Sequence, residues 1–259
     1  MCYDDDARPP LPPVSGGAGI GTTEHHVLEA DDGNRFAAYT ATTAAPGGPG
    51  MVILPDVRGL YPFYKELAER FAEAGVHATA IDYFGRTAGV SERGDDFEYR
   101  THVDQTTPDG IAADTAAAVA HVRSEAGGGA DAVFTVGFCF GGRNSFNQSA
   151  RGHGLAGVIG FYGFPTRRDE NDTNAPSDVL DRFEAPVLGL FGGADQAIKV
   201  EFVEQFREAL DAAGIDNEIV IYEDAPHSFF DRTAEEHADD SADAWRRMLD
   251  FINRNRSKS

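Results

Sequence analysis

The sequence predicts one α/β domain with a mostly parallel central sheet, helices on both faces and an antiparallel hairpin at its start. Three observations predict it. Short apolar or β-branched runs alternate with helix-period segments from Met51 onwards. The first two strand candidates are joined by Asp31-Asp-Gly-Asn34, a strong hairpin signal. The chain has 259 residues, 41% of them hydrophobic, which suffices for one sizeable core and does not demand a second.

Taken in order, residues 1–23 are rich in Pro, Gly and Asp and read as an irregular arm laid over a single domain at 24–259. Strand candidates follow at His25–Glu29, Arg35–Thr42 and Met51–Leu54, the last ending in Pro55-Asp-Val-Arg-Gly59. Leu67, Phe71 and Ala74 fall at helical spacing within 64–74, and Gly75 stops that helix before a strand at 76–81. The polar and aromatic stretch 82–108 shows no clear period, and loops of that length are usually functional or mobile. An alanine-rich helix over 109–125 closes in Gly127-Gly-Gly129. Further strands are expected at Val133–Val136, Leu155–Tyr162, Ala185–Phe191 and Glu218–Tyr222, with a second polar loop through Asn174 and helices at 143–151, 200–213 and 234–253.

Composition narrows the partners. The formal net charge of −21 comes from 43 acidic and 22 basic residues, scattered along the chain, with lysine only at Lys65, Lys199 and Lys258. Such a surface repels nucleic acid and anionic membrane. It suits a very salty cytoplasm, where the Debye length falls to about 3 Å or less and self-repulsion is screened. No apolar run approaches the roughly 18 residues of a membrane span, and the acidic, proline-rich start is unlike a signal peptide. Cys2 and Cys139 are the only cysteines, so a disulfide framework is not expected and a reducing compartment is the simplest setting. His25 and His26 are adjacent on a strand and point to opposite faces. With no His-x-x-x-His spacing either, neither a metal site nor a cofactor is suggested.

The chemistry concentrates at Gly137-Phe-Cys-Phe-Gly-Gly142. A β-branched run stops at Gly137, and one cysteine follows, with glycines two residues to either side and a helix-compatible segment next. That pattern reads as a nucleophile elbow with sulfur in place of the usual hydroxyl. Glycines leave room beside a sharp strand-to-helix turn, and the free N–H groups of a helix N-terminus favour a thiolate. Cysteine is also commonly a small buried hydrophobe, and Gly-Gly also marks plain turns.

Other strand ends supply partners. Asp195 follows a strand and a Gly-Gly pair, and His227 follows the final strand after Pro226. Nucleophile, acid and histidine in the order Cys139, Asp195, His227 is the order of α/β-hydrolases. A weaker reading has Asp195 merely cap the helix that follows it, and His227 is one of eight histidines, though the other seven lack such a setting.

At this point the sequence resembles the dienelactone hydrolase (carboxymethylenebutenolidase) family over roughly 24–252. The resemblance rests on Gly137-Phe-Cys-Phe-Gly-Gly142, Pro55-Asp-Val-Arg-Gly-Leu60, Gly192-Gly-Ala-Asp195 and Ala225-Pro-His-Ser-Phe229. It implies a Cys–His–Asp triad that hydrolyses an enol lactone or related ester through an acyl-thioester. The small-molecule substrate it implies is anionic; a broader carboxylesterase or thioesterase, and a catalytically silent binding module, are the other readings. The resemblance also implies a contact from Asp56 to the resting thiol, although glutamate is the family residue there, and an oxyanion hole from the backbone N–H groups of Phe140 and Val57. Family arginines hold a substrate carboxylate; Arg232 lies near the expected position beyond the histidine. Arg86, Arg93 and Arg100, the last beside Tyr99, compete in the long loop, and Arg58 is placed at the expected pocket rim.

Overall fold

The computed structural model describes residues 6–13, 19–94 and 96–257. It is built on an eight-stranded sheet in the order β1-β2-β4-β3-β5-β6-β7-β8. The strands are β1 (Ile20–Glu29), β2 (Arg35–Thr43), β3 (Pro49–Leu54), β4 (His77–Ile81), β5 (Ala132–Phe138), β6 (Gly157–Phe161), β7 (Val187–Gly192) and β8 (Asn217–Tyr222). β2 runs antiparallel to both β1 and β4, and every other pairing is parallel. The α/β class with its antiparallel start is therefore as the sequence predicts.

Side-chain alternation along the strands decides which helix covers which face. Met51 and Ile53 of β3 join the larger core cluster with Leu67 and Phe71 of α1 (Pro62–Glu73). Val52 and Leu54 point the other way, into a smaller cluster with Val119 and Val122 of α4 (Pro108–Arg123). Pro at the first helical position and Thr107 accepting from the Gly110 N–H at 3.1 Å start α4 where the sequence signals a start. The C-terminal helix α7 (Ala238–Asn255) buries Trp245, Met248, Phe251 and Ile252 against the larger cluster. Trp245 meets Phe71 edge-on at 4.9 Å and donates from Nε1 to the Pro10 carbonyl at 2.9 Å. That bond, with an Arg8–Glu66 ion pair at 2.7 Å, ties residues 6–13 to the domain.

The departures from expectation have local causes. β1 starts at Ile20, inside the stretch read as an arm, because an exposed edge strand with a register shift between Ile20 and Thr23 shows no apolar alternation. The 82–108 stretch contains two short helices, α2 (Gly85–Ala88) and α3 (Tyr99–Val103), each too short to display a helical period. The helix after β5, α5 (Phe140–Gln148), begins three residues before the expected start. Its Gly141 and Gly142 serve close packing, as the elbow reading expects, and do not form a plain turn.

Candidate active site

The parallel strands end along one rim of the sheet, and the segments leaving β3, β5, β6, β7 and β8 meet there around a cleft of about 800 Å³. At its floor the chain leaves β5 and enters α5 through Cys139, whose φ of 54° and ψ of −109° lie where few residues with a Cβ settle. The turn is tight because the backbones nearly touch: a Cβ on Gly137 would overlap the Gly141 carbonyl, and one on Gly141 would overlap the Leu54 carbonyl. Cys139 donates its N–H to Phe161 O at 3.0 Å, which ties the elbow to β6. The cysteine is partly buried and sits at the N-terminus of α5, where the helix dipole favours a negative sulfur.

Asp195, three residues beyond β7, is buried and holds its turn together. Its Oδ1 accepts from the N–H groups of Ala197 and Ile198 at 2.8 and 3.0 Å, and its Oδ2 meets His227 Nδ1 at 2.6 Å. Burial alone would push its carboxyl up, but the bonds from His227, Ile198 and Ala197 outweigh that and hold it below the usual range. With a carboxylate on Nδ1, that nitrogen carries the proton and Nε2 is left as the acceptor. His227, on the segment after β8, packs its ring 4.9 Å from that of Tyr162. Cys139, Asp195 and His227 all line the cleft, as do Phe140 and Val57, the two residues whose N–H groups were assigned to an oxyanion.

The remaining expected residues fare differently. Asp56 is 2% exposed, and both of its carboxylate oxygens accept from Arg58 Nε, at 3.1 and 3.0 Å. The carboxylate expected to face the thiol thus also binds a guanidinium. Arg58 is not at the rim: it is 5% exposed, pairs through Nη2 with Asp56 at 2.8 Å, and donates a second bond to Asp231, itself 4% exposed. Tyr61 lies beneath the guanidinium at 4.9 Å. A chain turning inward after β3 placed the arginine under the site because two buried carboxylates await it there. Arg86 is also taken, bridging Asp32 at 2.5 Å and Asp114 at 2.8 Å, which fastens the β1–β2 turn to α4. Arg93 is buried against Asp82 at 2.8 Å. Arg100 is exposed on α3 and Tyr99 is half-buried; neither lines the cleft, although Val103 of the same helix does. Arg232 does line it.

Sequence reasoning missed the wall opposite. Phe164 and Arg168, on the loop after β6, line the cleft, and so does Phe202 of α6 (Val200–Ala212), whose ring lies 5.3 Å from that of Phe164. The loop is clamped by Arg143 of α5, 3% exposed. Its Nη1 donates to the carbonyls of Phe164 and Thr166 at 2.9 and 3.0 Å, and its Nη2 pairs with Asp172 at 2.6 Å. Burial, with Arg168 nearby, brings the Arg143 guanidinium down to about 10, so it stays charged at neutral pH. The signal available was Arg143 itself, a charged residue four positions beyond the elbow where a core helix should be apolar.

Comparison with known proteins agrees with this geometry. The dienelactone hydrolase family model matches residues 36–255. A protein of Escherichia coli (strain K12) named "Putative carboxymethylenebutenolidase" is 30% identical over 224 residues, covering 85% of this chain and 83% of its own. The "Carboxymethylenebutenolidase" of Rhodococcus opacus is 28% identical over 261 residues, 98% of this chain and 97% of its own. A crystal structure from Klebsiella pneumoniae, described as a "Putative Dienelactone Hydrolase", superposes with a TM-score of 0.75 at 27% identity, covering 91% of this chain and 99% of that one. With the elbow, the sheet order and a family match spanning most of its length, the chain belongs to the dienelactone hydrolase family of the α/β-hydrolase superfamily.

Proposed function

We propose that this protein hydrolyses an enol lactone or a related ester of a small anionic molecule through a Cys139 acyl-thioester. The observation that carries the reading is the 2.6 Å His227–Asp195 bond at a cleft whose floor is a strained cysteine on a helix N-terminus. In this scheme His227 Nε2 takes the thiol proton and the Cys139 sulfur attacks the carbonyl carbon. The N–H groups of Phe140 and Val57 receive the oxyanion; a donor of this kind is worth about 3 kcal/mol of barrier. Collapse expels the enolate, which His227 protonates, and water then attacks the thioester with His227 as base. Asp195 fixes the imidazole tautomer and stabilises the imidazolium. Enolates leave more readily than alkoxides, which suits a thiolate nucleophile.

Arg168 and Arg232 support an anionic substrate, since they are the two arginines among the described residues of the cleft wall. Val57, Val103, Phe164, Ile198 and Phe202 make much of the rest of the wall apolar. That favours a second reading, a broader esterase or thioesterase in which the arginines hold no substrate carboxylate. One experiment separates the two. A dienelactone, a neutral aryl ester and a thioester are offered to the wild type, to Cys139→Ala and to Arg168→Gln. Loss of all turnover in Cys139→Ala with an unchanged melt is expected, and Arg168→Gln should weaken turnover of the anionic lactone but not of the neutral ester. Near-normal kinetics in Cys139→Ala would sink the mechanism.

A further inference from the structure

Tyr162 directly follows β6 and bears two costs that packing alone does not explain. Its φ of 36° is left-handed, a region that residues with a Cβ avoid. Its hydroxyl has no hydrogen-bond partner among the described residues, although the side chain is only 2% exposed. Buried phenols nearly always find a partner, and a phenylalanine would fill this space without the unmet donor. The ring touches those of Phe161, Phe229 and Phe138 at centroid distances of 5.9, 5.8 and 6.3 Å, so its apolar body is fully accounted for. What remains is a donor held at the cleft by a strained backbone.

The surroundings say what the donor could serve. Tyr162 lines the cleft with Cys139, and its ring packs 4.9 Å from that of His227. Burial, reinforced by the negative charges of Asp231, Asp56 and Cys139, pushes its phenol well above 10, so it keeps its proton throughout the working range. We propose that the Tyr162 hydroxyl is the hydrogen-bond donor for the Cys139 thiolate. A thiol is a weak acceptor and a thiolate a strong one. In the resting arrangement the hydroxyl bonds nothing among the described residues, the sulfur included, so the contact forms when the activated Cys139 side chain turns its sulfur to the phenol. This inference rests on Cys139 being the nucleophile, as proposed above.

A rival acceptor is close at hand, because Asp231 Oδ1 also has no partner among the described residues. Around the sulfur and the phenol stand His227 and Asp195 from the segments after β8 and β7, Asp56 and Arg58 after β3, and Tyr83 after β4. Asp231 and Arg232 follow His227, and Arg168 lies on the loop after β6. The test must therefore read the thiolate itself.

Cys139 alkylation by iodoacetamide is followed against pH in the wild type and in Tyr162→Phe, with thiolate absorbance and a thermal melt alongside. Losing a hydrogen bond to a charged acceptor should move the apparent thiol midpoint up by about one pH unit. The high-pH plateau rate should rise about threefold, since a more basic thiolate is more nucleophilic. The melt should hold or improve, as an orphaned hydroxyl has gone. Superposed pH profiles would overturn the assignment. Superposed profiles with a lowered melt would overturn it too and give the hydroxyl to Asp231. If the wild type itself alkylates like an ordinary exposed thiol, the nucleophile reading fails first and this inference with it.

Discussion

Arg58 is the residue whose removal tests the structure hardest. It is the cation between Asp56 and Asp231, and all three are at most 5% exposed. Arg58→Met keeps much of the side-chain length and its contact with the Tyr61, Phe63 and Tyr64 rings, but leaves two buried carboxylates facing each other. Breaking a buried pair from one side costs about 3–5 kcal/mol. In a domain of this size that is on the order of 10 °C in the melting midpoint. The cost must depend on pH, because burial, with the Asp56 charge adding and Arg58 opposing, already pushes the Asp231 carboxyl up to about 7.

The direction of that dependence follows from proton counting. Between the unfolded value of about 3.9 and about 7, the folded wild type holds a proton on Asp231 that the unfolded chain has lost. This contribution to stability is fully present below the unfolded value and disappears as pH rises through 7. In Arg58→Met the Asp231 carboxyl loses its cation and moves higher still. The variant should therefore melt closest to wild type in acid and furthest below it in mild alkali. Adding Asp231→Asn should recover most of the loss in alkali. The assay is a set of thermal melts of wild type, single and double variants across that range. An Arg58→Met midpoint within about 2 °C of wild type in alkali, or a double variant no better than the single one, would refute the account. Activity should fall as well, since the cluster joins the Val57 turn to the segment carrying His227 and Arg232.

Two further outcomes test the cleft wall and the surface. Arg143→Ala frees the carbonyls of Phe164 and Thr166 and the Asp172 carboxylate; losing one charge-assisted bond's worth of loop order should raise KM about tenfold. The rate of Cys139 alkylation should be unchanged, and an unaltered KM would mean the loop holds its place without the clamp. With −21 of formal charge on the chain, self-repulsion reaches about 10 Å at 0.1 M salt and about 3 Å at 1 M. Melting midpoint and activity should rise together as KCl goes from about 0.1 M to about 1 M, and equal midpoints would make the acidic surface incidental.

The legibility of this chain follows the backbone. The mostly parallel sheet, the hairpin and the positions of most strands could be read because alternation, Gly stops and the Asp31–Asn34 turn are local properties of the chain. β1 was read short because an exposed edge strand has no apolar face to show, and α2 and α3 were missed because four or five residues cannot show a period. At the site the same division holds. Cys139, Asp195 and His227 are fixed by where strands end, and backbone N–H groups aim the carboxylate, so sequence order was enough to bring them to one cleft.

Arginines obey a different rule, and it explains why the candidates Arg58, Arg86 and Arg93 lie in ion pairs and not on the cleft lining. A guanidinium on a long flexible stem settles wherever buried carboxylates would otherwise stand unpaired. Arg58 went to Asp56 and Asp231, Arg86 to Asp32 and Asp114, and Arg93 to Asp82; Arg100 remained exposed on α3. These acidic partners are scattered in sequence, from Asp32 to Asp231, so nothing local announces the pairings. The same rule works in reverse for the cleft. Arg143 secures the loop after β6 by its own buried bonds, and that holds Arg168, exposed on the clamped loop and lining the cleft, where the proposed anionic substrate would meet it. In a chain this rich in acid, pairing with buried carboxylates decides which arginines are left to line the cleft.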